Sequence, residues 1–171
     1  MWQFMGQQRP SFAEEPKPEQ ESVWDYPRPP ICRIDPRRIT VAVNHRVIAD
    51  TRNAIRVLET ASPPTIYIPP QDIDLSVLKK TSGSSFCEWK GSAVYWSLQT
   101  PEAQIKNVAW SYDPIQPRFS EIEGFLCFYP GKIACTIDGE PVQPQEGGFY
   151  GGWVTQEIVG PWKGAPGTGG W

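Results

Sequence analysis

Ile39-Thr40-Val41-Ala42-Val43-Asn44-His45-Arg46-Val47-Ile48-Ala49-Asp50 decides the fold class. Two β-prone runs flank a two-residue step, the pattern of a β-hairpin with a tight turn. His45 then stands at an exposed turn, which makes it a poor candidate for a catalytic base. Downstream, Ala54–Leu58 and the stretches 65–68, 93–98, 108–112, 125–129 and 133–137 carry further strand signals. Pro130-Gly131 fits the central positions of a type II turn between the last two. One short helix is expected over 72–80, with Leu75 and Leu78 turned inward and Asp72 or Asp74 as its N-cap. The reading is a mainly β, mostly antiparallel domain over 39–138.

Composition changes on both sides of that domain. The chain of 171 residues carries 19 prolines, roughly twice average usage. Seven of them fall in 1–38, which reads as an extended, proline-rich arm with Trp24, Tyr26 and Ile31 as its adhesive points. Residues 139–171 form a Gly/Trp-rich tail, with Trp153, Trp162 and Trp171 among the glycines and one last strand expected over 154–159. A disordered linker would be polar and poor in tryptophan. The tail is therefore expected to pack on the core, or on a neighbouring subunit in a homo-oligomer.

The formal net charge is −3, with basic residues scattered among acids. Phosphate neutralisation dominates nucleic-acid affinity, so this balance argues against a nucleic-acid partner. Cys32, Cys87, Cys127 and Cys135 include no C-x-x-C pair, and there is a single histidine. Thiolate zinc sites bring ligands in close pairs, so no metal site is expected. Buried free thiols in a reducing compartment are the preferred reading. A Cys127–Cys135 disulfide across a hairpin is the lesser alternative. Residues 1–13 lack a basic segment followed by an apolar one, and no run approaches membrane-spanning length. A soluble, cytoplasmic protein with no membrane partner and no cofactor is the expectation.

Specific positions carry more. The set Ala49-Asp50, Glu59, Pro64, Tyr67, Pro69, Asp72, Cys87-Glu88-Trp89-Lys90-Gly91, Ala93, Tyr95, Trp110-Ser111-Tyr112, Pro114, Ile122, Gly124 and Phe128-Tyr129 resembles the domain-of-unknown-function 427 family in order and spacing. The resemblance implies a small twisted antiparallel β-sheet domain of β-tent type and no established activity. The family is also catalogued under a nucleotidyltransferase label. Two positions depart from its pattern: Glu88 stands where proline is usual, and Pro70 where many relatives carry arginine.

The transferase label requires two or three carboxylates to hold magnesium against a triphosphate. Asp72-Ile73-Asp74 supplies a D-x-D, but at an expected helix start, where acids are favoured by the backbone dipole anyway. Gly83-Ser84 follows it in the wrong order for the usual phosphate loop, and no P-loop exists. Cys87 lacks an identifiable base to make it a nucleophile. Lys90 is the more promising group. The glycine after it suits a bend that brings backbone close to a ligand, and the lysine suits an anion or a structural pair with Glu59 or Asp50. Tyr67, Tyr95 and Tyr112 with Trp110 have the make-up of an apolar pocket with polar tips, and equally that of a small β core. Trp-Lys-Gly recurs at Trp162-Lys163-Gly164, which places the tail near the core turn or at the same place on a second subunit.

Three functions remain open on these residues. One is a β domain binding a small molecule, with an anion accommodated, at Glu59, Tyr67, Lys90, Tyr95, Trp110 and Tyr112. A second is an enzyme using Lys90, Glu59 and Tyr67 or Tyr95 as acid–base groups. The third is a structural or interaction protein acting through its arm and tail.

Overall fold

Residues 1–171 are described by a computed structural model whose strands lie mainly in antiparallel sheets. In the arm, β1 (Glu21–Ser22) runs into a 3-10 turn at Val23–Asp25, and β2 (Ile31–Asp35) follows. β3 (Ile39–Val43) and β4 (Arg46–Thr51) are the expected hairpin, succeeded by β5 (Ala54–Leu58) and β6 (Thr65–Tyr67). Three long strands form a meander: β7 (Leu78–Cys87), β8 (Gly91–Gln99) and β9 (Gln104–Ile115). The remaining strands are short: β10 (Cys127–Phe128), β11 (Ala134–Ile137), β12 (Glu140–Pro141), β13 (Gln143–Pro144), β14 (Trp153–Val154) and β15 (Ile158–Val159).

Asn44 and His45 both take positive φ, 46° and 65°. That is the geometry of a type I′ turn, whose twist matches the flanking strands. His45 is exposed there. Three sheets do most of the work, in the orders β10-β9-β8-β7, β12-β11-β3-β4 and β2-β5-β6. The largest apolar cluster joins the first two through Ile39, Val41, Ile48, Leu98, Val108 and Phe128. A second cluster joins β5 and β6 to the long meander through Val57, Tyr67, Ala93, Trp110 and Tyr112.

Several local expectations change. The helix over 72–80 is replaced by two 3-10 turns, Pro70–Asp72 and Leu75–Val77, and Leu78 already begins β7. Asp74 does cap, accepting from the Ser76 amide at 3.1 Å, but Leu75 points outward. Pro130-Gly131 is not a type II turn within a hairpin. Gly131 has no positive φ, which that turn requires, and β10 and β11 belong to different sheets. The turn instead carries the chain from one sheet to the other, and Cys127 and Cys135 are free thiols. The strand expected over 154–159 is split into β14 and β15. Strand β7 had no strong sequence signal. It lies at a sheet edge, with its pairing to β8 shifted between Lys80 and Ser84.

The terminal segments pack on this core. β1 pairs in parallel with β15, and the Trp24 indole donates to the Pro161 carbonyl at 2.9 Å. Phe12 and Trp171 stack at 4.9 Å between centroids. Trp153 enters the main core, 1% exposed, and donates to the Phe128 carbonyl at 2.9 Å. No helix is long and apolar enough to cross a membrane.

Trp153→Ala removes a buried indole and leaves a cavity, so it lowers unfolding free energy by about 3–5 kcal/mol in equilibrium urea denaturation. A loss below about 1 kcal/mol would mean that the tail adds little to the core. Asp35 is 3% exposed and bonded to Arg37 at 2.7 Å. Burial pulls its pKa up, but the Arg37 guanidinium outweighs burial and holds it below the usual 3.8. Its contribution is therefore complete above the unfolded carboxylate range and lost as pH falls through the lower folded value. Thermal melts below about pH 4 will fall more steeply for the wild type than for Asp35→Asn.

Candidate functional site

A cavity of about 670 Å³ opens between the long meander, the β5–β6 end and the terminal segments. Glu59, Tyr67, Lys90, Tyr95, Trp110 and Tyr112 all line it. Strand periodicity explains the grouping. Residues two apart share a face, and the register sets Ala93 opposite Tyr112 and Tyr95 opposite Trp110. These four side chains form one wall of the cavity. Tyr67, at the end of β6, meets that wall edge-on: its ring centroid is 6.1 Å from that of Trp110, whose indole donates to the Tyr67 hydroxyl at 3.3 Å. Burial pushes the Tyr67 hydroxyl well above the ordinary tyrosine value and Tyr112 up to about 12, with Lys90 opposing the latter rise. The Tyr95 hydroxyl bonds Ser85 at 2.7 Å.

Lys90 sits on the Glu88-Trp89-Lys90 connection between β7 and β8, whose ends pair as Cys87 with Gly91. Gly91 takes φ 118°, and a Cβ there would lie 2.3 Å from the Pro114 carbonyl oxygen. Only glycine lets the turn close against β9 this tightly. The turn in turn buries Lys90 to 9% exposure, with its ammonium 5.7 Å from the Tyr112 ring centroid. Burial pulls its pKa down, but Tyr112, Cys87 and Glu59 outweigh it, and the value lies above the usual 10.5.

Neither of the structural pairs considered for Lys90 forms. Asp50 pairs with Arg38 at 2.8 Å on an exposed face. Glu59 pairs with Arg28 at 3.3 Å. Arg28 had no motif to mark it, yet its side chain is wholly enclosed. It donates to the Thr60 and Trp171 oxygens at 2.9 Å and to the Phe4 oxygen at 2.8 Å. It also lies 4.3 Å from the Trp2 ring centroid.

Lys163 comes from the tail and is 3% exposed. Its ammonium lies 3.9 Å from the Trp2 ring centroid and 5.2 Å from that of Tyr150. Burial pulls its pKa below the usual lysine value; Glu59 opposes this and Arg28 adds to it. The one sequence signal for Lys163 was the repeated Trp-Lys-Gly, and the local geometry repeats with it. Gly164 takes φ 139°, and a Cβ there would lie 2.2 Å from the Glu146 carbonyl oxygen. Gly151 similarly admits the Trp110 ring, with a Cβ position 2.1 Å from its Cη2. Glu88, the departure at the turn, is exposed and accepts the Trp2 indole N–H.

The D-x-D carboxylates lie outside the cavity. Asp72 accepts from Thr51 at 2.7 Å, and Asp74 bonds Ser76 and Arg46. No three His, Cys, Asp or Glu side chains are grouped to hold a metal ion.

A family model described as a domain of unknown function (DUF427), with the label NTP_transf_9, matches residues 31–139. No curated protein matches the chain. The six cavity residues read from the sequence fall inside the matched span, whereas Trp2, Arg28 and Lys163 fall outside it.

Gly91→Ala places a methyl group against backbone in a strained conformation, and costs about 1–3 kcal/mol. Urea denaturation measures the loss; an unchanged midpoint would show that the turn relaxes without the glycine.

Proposed function

Because the chain belongs to the DUF427 family, a family whose description assigns no activity, we propose a function from the geometry of the site: binding of a small, anionic molecule at Lys90. The observation that carries it is a buried ammonium facing an aromatic cavity without a carboxylate partner. Buried charges are ordinarily paired. Here the nearby acid, Glu59, is taken by Arg28, which leaves Lys90 free for an external anion. The cavity's volume lies within the range of small-molecule sites, and its walls combine flat apolar rings with a few polar groups. Trp110 and Tyr112 would cover the apolar body of the ligand, and Tyr95 would contribute a hydroxyl at the edge.

Binding is favoured over acid–base catalysis by two features. Glu59 is held by a guanidinium, and the Tyr67 hydroxyl is displaced far above neutral pH. A carboxylate bonded in this way is already occupied, and a hydroxyl so displaced does not give up its proton near neutrality. The transferase label finds no grouped carboxylates to support it. An interaction role through arm and tail is less favoured, since their tryptophans already contact the chain's own core.

A thermal-shift screen against anionic metabolites and nucleotides tests the reading. A ligand at a hundredfold excess over its Kd stabilises the fold by about 2.7 kcal/mol, a rise of roughly 5–10 °C for a chain of this size. Lys90→Ala abolishes that rise. Equal shifts in the wild type and the variant would remove Lys90 from the site.

A further inference from the structure

The cavity contains a second buried ammonium of different origin. Lys90 is carried by the β7–β8 turn, and Lys163 by the tail some seventy residues later. Each follows a tryptophan and precedes a glycine at positive φ whose missing Cβ allows a close backbone contact. Both line the same cavity, and the Trp2 ring that lies 3.9 Å from the Lys163 ammonium donates its indole N–H to Glu88, two residues before Lys90 on the β7–β8 turn. Trp2 and Glu88 thus join the tail lysine to the turn that carries Lys90. Neither forms an ion pair with a carboxylate; the chain's eight ion pairs are all made by arginines.

The charges at the site do not cancel locally. Glu59 is neutralised by the enclosed Arg28. Glu88 is exposed at the rim and engaged by Trp2. Two enclosed positive charges then remain, attracted to rings but not to any bonded anion. Aromatic contact offsets only a part of the cost of removing an ammonium from water. A group with a double negative charge would compensate both at once.

We propose that Lys90 and Lys163 together bind one doubly charged oxyanion, a phosphomonoester group, carried on a flat body that lies against Trp110 and Tyr112. This rests on the reading of Lys90 above and extends it to the tail. Lysine binds phosphate as a compact point charge, so two ammonium groups lining one cavity suit the several oxygens of a single phosphate. A phosphomonoester carries nearly two charges at neutral pH, its second pKa being about 6. A sulfate monoester of the same shape carries one.

Phenyl phosphate and phenyl sulfate are therefore the probes, titrated calorimetrically at pH 7.5 into the full chain. The wild type will bind phenyl phosphate at least tenfold more tightly than phenyl sulfate. Lys163→Gln will lose most of that preference, and Lys163→Arg will restore it. Lys90→Gln will weaken both probes. Equal affinity of the wild type for the two probes overturns the two-lysine proposal while leaving Lys90 as an anion site, and this comparison needs no variant to fold. Undiminished preference in a folded Lys163→Gln overturns it in the same way. Binding of neither probe, or binding untouched by Lys90→Gln, overturns the Lys90 reading and the proposal together.

Discussion

The enclosed Arg28 guanidinium is the contact on which the site depends. Its planar fork holds Glu59, the Thr60 carbonyl and backbone oxygens from both terminal segments, Phe4 and Trp171. A lysine has no fork of donors to satisfy four acceptors in this way. Removing one partner from a buried charge is costly, on the order of 3–5 kcal/mol. The arm, the end of β5 and the tail are thus bound to one another through a single side chain. The same contact determines the electrostatics of the cavity. With Glu59 bonded to Arg28, neither Lys90 nor Lys163 forms an ion pair with a carboxylate.

How much was legible in the sequence depends on how local the information is. The β3–β4 hairpin was legible because its turn and its alternation lie within twelve residues. The wall of Tyr95, Trp110 and Tyr112 was legible as a set of aromatics, although only the β8–β9 register shows that they face one cavity. Strand β7 was not legible, because Ser and Gly carry little strand preference of their own. What makes it a strand is its long partner β8, a tertiary effect. The expected helix over 72–80 failed for a related reason. Its first residues follow two prolines, and from Leu78 onward the chain is drawn into pairing with β8.

Arg28 and Lys163 show the same limit at the site. Arg28 lies in a proline-rich stretch of alternating charge, where nothing distinguishes it from Arg33 or Arg37. Its role comes from contacts 24, 32 and 143 residues away in the chain. Lys163 carried one faint mark, the repeated Trp-Lys-Gly. A lysine's charge is visible in a sequence, but the absence of a partner is a property of the folded surroundings. Lys90 was identifiable from its family context, and its lack of a carboxylate partner was not.

Met1 and Gly170 both line the cavity. Residues added ahead of the one, or beyond the neighbouring Trp171, leave the domain from the rim of its own opening. A purification tag, a fluorescent fusion or a natural extension at either end therefore acts as a substituent at the entrance. A basic tag there would compete for any acidic guest, and a bulky one would shade the opening. An internal attachment point such as the exposed Asn44-His45 turn, which does not line the cavity, leaves that entrance clear.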